Sequence, residues 1–174
     1  MNARRKGFLL AAIHLTLVLS IAAKLMYDRA TRPRVWALAE AYDPDLPIRG
    51  RYLSERLRIP AEGFSYKKSS QPNTNDWFLN REWAYLEVRD GQLIARQQGN
   101  GPGEWMHLGK NVDGSLIAVS EEPVLVFISE NVQIPGLKPG QETWVEVTLP
   151  AQGPPRPIRM GMKKDGVLTP LKLE

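Results

Sequence analysis

The sequence predicts a mainly β protein: an antiparallel sandwich or barrel-like domain behind one N-terminal transmembrane helix. Three observations carry that expectation. An uncharged apolar run opens the chain, short segments of alternating polarity follow it, and turn dipeptides separate those segments at the close spacing of β domains. A length of 174 residues suits one such domain plus an anchor. The chain divides into a basic tail (1–6), a transmembrane anchor (7–27), a juxtamembrane linker (28–33) and a β-rich domain (34–174).

Composition excludes several chemistries. The absence of Cys removes disulfides, thiolate metal sites and cysteine nucleophiles. His14 and His107 are the only histidines, so one chain supplies no multi-histidine metal site, and no cofactor site is predicted. The formal charge of +4 is carried by Arg4, Arg5, Lys6 and Lys24. Beyond them, Lys and Arg are balanced by Asp and Glu, so the domain has no nucleic-acid footprint.

The run from Gly7 to Tyr27 makes a helix about 31 Å long at 1.5 Å per residue, enough to cross a bilayer. Lys24 suits the headgroup level, Tyr27 the interfacial belt, and His14 is read as a neutral imidazole bonded along the helix. A cleaved signal peptide has the same ingredients, but the apolar run exceeds a usual signal core, which favours retention. Positive charges nearly tie across the span. A long domain translocates largely regardless of them, so the C-terminal domain is expected on the extracytoplasmic side of the membrane.

The segment VWALAEAY, from Val35 to Tyr42, fits a helix or a strand. Asp43-Pro44 and Leu46-Pro47 then force a turn, and Gly50 opens a strand with Leu53, Leu57 and Ile59 on one face. Glu55 interrupts that face, and a face-switch or partial exposure is the expected resolution. Lys67 to Asp76 is read as a mobile loop. Trp83–Arg89 and Gln92–Gln98 flank Asp90-Gly91 as a hairpin. Gly99 to Gly103 (GNGPG) lacks the Gly-Lys-Ser/Thr ending of a phosphate loop and is read as a flexible connection. Ser115–Val119 and Val124–Ile128 are expected to be buried strands, and Trp144–Leu149, after a Pro-Gly turn, a half-buried one. A last hairpin joins Pro157–Lys163 to Val167–Leu173 through Lys164-Asp165-Gly166.

Asp43, Pro44, Leu46, Arg49, Gly50 and Tyr52 together resemble the signature of the bacterial membrane-anchored family named for its GDYXXLXY motif. Arg51, Glu55 and Leu57 depart from it, standing where the family has Asp, Leu and Tyr. Gly153 to Gly166 and the N-terminal anchor are also similar to such proteins. The resemblance implies membrane anchorage and an association with multipass membrane proteins, and carries no reaction or catalytic set.

These residues lead to a non-enzymatic accessory or interaction protein of the bacterial envelope, contacting lipid through its anchor and another membrane or envelope protein through its domain. The candidate interaction patch is Arg49, Arg51, Tyr52, Arg56 and Arg58, behind the motif turn of Asp43, Pro44 and Gly50. One alternative is a carboxylate-dependent hydrolase or small-ligand-binding domain using Glu82, Glu121, Glu122 and His107. Another is a domain that contacts lipid headgroups through Arg29, Arg32 and Arg34 with Trp77 or Trp83, aromatics that otherwise belong to the core.

Overall fold

The computed structural model describes residues 3–41, 52–68, 80–129 and 139–172. The motif turn, Arg49, Arg51, Trp77 and most of the predicted Lys67–Asp76 loop lie outside the described residues. The chain separates into two units, Met1–Arg32 and Pro33–Glu174.

The first unit is helix α1 (Ala3–Thr31). Its window of mean hydropathy 2.1 has the length and composition of a membrane span or of a signal sequence. Inside it, Thr16 Oγ1 and Ser20 Oγ donate to the carbonyls of Ala12 and Leu17, so both hydroxyls are satisfied along the helix. His14 Nδ1 likewise lies 2.8 Å from the Leu10 carbonyl, as read from the sequence. The helix begins inside the predicted tail and runs to Thr31, so the segment expected to be a linker over 28–33 is mostly helical. Asp28, Arg29, Ala30 and Thr31 continue the helix without breaking it, and Arg32 pairs with Asp28 one turn back at 3.7 Å.

The second unit is built from ten strands: β1 (Arg34–Ala41), β2 (Tyr52–Glu62), β3 (Arg81–Arg89), β4 (Gln92–Arg96), β5 (Gly103–Lys110), β6 (Leu116–Ser120), β7 (Val124–Phe127), β8 (Gln141–Thr148), β9 (Arg156–Lys164) and β10 (Val167–Pro170). Strands β2, β4, β3, β5 and β6 close into a five-stranded barrel through the β2–β6 pairing. The remaining strands extend the sheet as β1, β8, β9 and β10 on one side of β2, with β7 on the other. All pairings are antiparallel except the short β2–β4 contact at Ala61 and Glu62. The barrel resolves the choice between sandwich and barrel that the sequence left open.

Strand β2 belongs to both halves because each of its edges changes partner. One edge pairs with β7 over Tyr52–Glu55 and with β6 over Arg58–Pro60. Between them, β6 and β7 are separated by Glu121–Pro123, and Oγ of Ser120, the last residue of β6, accepts the Leu57 N–H at 2.9 Å in place of a backbone carbonyl. The other edge passes from β1, whose last partner is Arg58, to β4, whose first is Ala61. Pro60, which has no amide to donate, falls at that handover.

As far as Ala41, the last described residue of that segment, the helix-or-strand ambiguity resolves as strand: Val35, Ala37 and Ala39 face the core with period two, and Ala39 pairs with Leu57. The two expected hairpins form, with Asp90 and Gly91 at φ 51° and 75° and Asp165 and Gly166 at 50° and 82°. Strand β5 was not anticipated, although Met106 and Leu108 alternate with Trp105 and His107 along it.

Three expectations are corrected by packing. The Gly99–Gly103 connection is closely fitted: a Cβ on Gly101 would collide with the Leu86 carbonyl oxygen, and one on Gly103 with the Trp83 indole. Leu86 N–H also donates to the Pro102 carbonyl at 2.8 Å, which ties this loop to β3. Strand β7 is not buried throughout, because Leu125 and Phe127 face outward between Val124 and Val126. The start of the predicted mobile loop is held: Asn80 accepts the Lys67 N–H and donates to its carbonyl, both at 2.8 Å.

Candidate functional site

Alternation along β2 sets the chemistry of its two faces. Leu53, Glu55, Leu57 and Ile59 point inward, while Tyr52, Ser54, Arg56 and Arg58 point outward. Glu55 therefore does not switch face. It is only 6% exposed, opposite Ala41 and Val124, and its Oε2 has no hydrogen-bond partner among the described residues. Burial, and then the charge of Glu40, push its pKa up to about 7. Partial exposure or a face-switch was expected because an unpaired carboxylate is costly inside; here the strand's period prevails and the group is held neutral more readily instead.

Three of the five predicted patch residues are described. Tyr52 lies opposite Phe127, its ring edge-on at 5.7 Å, and Ser54 lies opposite Leu125. Tyr52, Leu125 and Phe127 are each about half exposed, giving an outward apolar face on β2 and β7. Arg56 and Arg58 do not form a free basic strip. Arg58 Nη1 lies 3.4 Å from Glu40 and Nη2 donates to Asn111 at 3.2 Å, while the positive charge of Arg56 acts on Glu121. Cross-strand register explains this: Arg56 is directly opposite Glu40, and Arg58 is two pairs further along the same ladder, on the same face.

A second feature gathers around the irregular turn between β6 and β7. Arg81, Trp83, Gly103, Glu104, Trp105, Glu121, Glu122 and Pro154 line a cleft of about 220 Å³. Trp83 and Trp105 are directly opposed on β3 and β5, their rings edge-on at 5.5 Å, and Arg81 lies 4.1 Å above Trp105. Arg81 Nε also donates to Glu121 at 2.7 Å, and that bond holds the Glu121 carboxyl below the usual range. Glu104 shifts the other way. Burial, with the Glu122 charge behind it, pushes its pKa up to about 7.

Of the acids and histidine considered for hydrolysis, Glu121 and Glu122 therefore share a cleft. His107 is buried opposite Arg81 on β5, and Glu82 points to the other face of β3 beside Met106. Glu104 was missed; its signal was an acid in phase with Met106 and Leu108 on a strand that the sequence reading had not assigned. Trp83, expected in the core, is 42% exposed. Among the described residues no group of His, Asp or Glu is arranged to hold a metal ion.

With this geometry in view, the molecule falls in the broad class of β-barrel domains preceded by an apolar helix. The chain matches no family model, no curated protein and no solved structure.

Proposed function

We propose that this is a membrane-anchored, non-enzymatic accessory protein of the bacterial envelope. Its helix holds it in the inner membrane with the β domain on the extracytoplasmic side, and the domain engages another membrane or envelope protein. The observation that carries this reading is the outward face of Tyr52, Leu125 and Phe127. Exposed aromatic side chains with an arginine on the same strand have the composition of a protein interface core, where Tyr, Phe and Arg are enriched and Lys is depleted. The similarity to the GDYXXLXY family points the same way, because Tyr52 belongs to the matching residues.

A photo-crosslinking amino acid at Leu125, in cells, tests the reading. The expected product is a discrete adduct with a membrane protein, lost in the Phe127→Glu variant and absent when the crosslinker stands at Val167, an exposed position on β10. Recovery of the protein alone, at preserved membrane abundance, sinks it. Alkaline phosphatase fused to the C-terminus tests the orientation, and an inactive fusion at normal abundance refutes it.

The opposite shifts of Glu104 and Glu121 in one cleft favour a second reading, a carboxylate-dependent hydrolase in which Glu104 donates a proton and Glu121 remains ionised. That reading requires Glu104→Gln and Glu121→Gln each to abolish a cellular phenotype while membrane abundance is unchanged. Wild-type behaviour of both variants removes it.

A further inference from the structure

A further cavity lies apart from the Tyr52 face and from the cleft of Glu104 and Glu121. It is a groove of about 570 Å³ on the outward face of β1, β2, β8 and β9, walled by the tips of the β3–β4 and β5–β6 hairpins. Its floor follows from strand register. Arg58, Leu38, Trp144 and Gly161 sit in one row across β2, β1, β8 and β9, and Trp36 sits on the same face of β1, two residues from Leu38. Gly161 leaves the space that the Trp36 ring fills, since a Cβ there would stand 3.1 Å from that ring. Two indoles and Leu38 thus make an apolar floor, and Ile117 adds an apolar wall.

The charge of this groove is one-sided. No Asp or Glu is among its lining residues, although residues 34–174 carry 18 acids against 17 bases. Its cations are Arg58 and Lys163. Arg58 has Nη1 near Glu40 and Nη2 on Asn111, leaving Nε without an acceptor among the described residues. Lys163 Nζ lies 4.6 Å above the Trp144 ring and makes no ion pair among the described residues. Its cross-strand neighbour Glu142 accepts instead from Trp144 Nε1, at 3.0 Å. The volume falls in the range of small-molecule sites, which join an apolar lining to a few polar groups that fix orientation.

We propose that this groove binds an amphipathic organic anion, whose flat apolar body lies on Trp36 and Trp144 and whose carboxylate or phosphate is taken by Lys163 and Arg58. This site is separate from the Tyr52 face and stands or falls independently of it.

The full chain in phosphatidylcholine nanodiscs tests the proposal by titration calorimetry, with empty nanodiscs as the blank. Three probes share one body: 2-naphthoate, 2-naphthyl phosphate and the neutral 2-naphthamide. Saturable binding of at least one anion, clearly tighter than the amide, is expected, and the tighter anion identifies the head group as carboxylate or phosphate. Lys163→Gln, a surface change, weakens the anions about tenfold, the scale of one charged hydrogen bond, and leaves the amide unaffected. Trp144→Leu weakens all three probes, with near-ultraviolet circular dichroism reporting that the fold persists. No saturable binding of either anion, equal binding of the amide, or indifference of the anions to Lys163→Gln overturns the assignment.

Discussion

Replacing Glu55 with Gln isolates the cost of holding one carboxylate inside the β domain. The side chain is 6% exposed, and Leu53, Leu57, Ala41 and Val124 around it on β1, β2 and β7 offer no side-chain donor. The nearest charge acting on it is that of Glu40, which opposes ionisation. Unfolded, the group ionises near 4.5; folded, it ionises near 7. Between those values the folded state holds a proton that the unfolded state has released, so stability is fully present below pH 4.5 and falls as pH rises toward 7. At about 1.4 kcal/mol for each pH unit crossed, the whole interval withdraws about 3 kcal/mol.

Gln keeps the shape and does not titrate. Glu55→Gln should therefore match the parent near pH 4.5 and exceed it by up to about 3 kcal/mol at pH 8. Urea unfolding of the full chain in nanodiscs, followed by tryptophan emission, measures the difference, because all five tryptophans lie after Pro33. Glu104 titrates in the same range in both proteins and cancels in the comparison. Parallel stability curves for parent and variant from pH 4.5 to 8 would show that the buried Glu55 carboxyl is not the titrating group.

Other perturbations read the remaining joints of the fold by the same unfolding assay. Ser120→Ala deprives the buried Leu57 N–H of its acceptor and should cost about 1–3 kcal/mol, whereas a merely apolar role for that side chain would make the change nearly neutral. Gly101→Ala drives a methyl into the Leu86 carbonyl and should cost about 1–3 kcal/mol, with faster amide exchange at Leu86 as the local sign. Asn80→Ala removes both bonds to the Lys67 backbone and should cost about 1–2 kcal/mol, with new proteolytic cleavage near Lys67 and Lys68.

Much of the architecture was legible because it depends on local signals. The Asp90-Gly91 and Asp165-Gly166 turns require positive backbone angles, and those residues supply them at little cost. The alternation of β8 and the apolar run of β6 needed only period two and a core to face. The failures share a different cause. Whether 35–42 is helix or strand depends on Ala39 finding Leu57 and Thr143 as neighbours, which no window of the sequence contains. The tight fit of Gly101 and Gly103 depends on Leu86 and Trp83, so glycines needed for close approach looked like glycines used for freedom. In the candidate patch the run of arginines was visible in the sequence, but the engagement of Arg56 and Arg58 with Glu40, Asn111 and Glu121 is set by strands distant in sequence.

Glu55 and Pro60 become intelligible together once β2 is seen as the strand shared by two parts of one sheet. A strand confined to one sheet tolerates neither an inward acid nor an interior proline well. On β2, Pro60 falls where the partner passes from β1 to β4, and the turn between β6 and β7 supplies a side-chain oxygen where the other ladder is interrupted. Glu55 lies at the opposite end, beyond the barrel closure, where β1 and β7 flank it with small or short side chains, Ala41 and Val124. The same strand carries Tyr52 outward, three residues from Glu55, and Arg58 into the groove three residues beyond it. Charging Glu55 therefore loads the strand that orders both proposed surfaces.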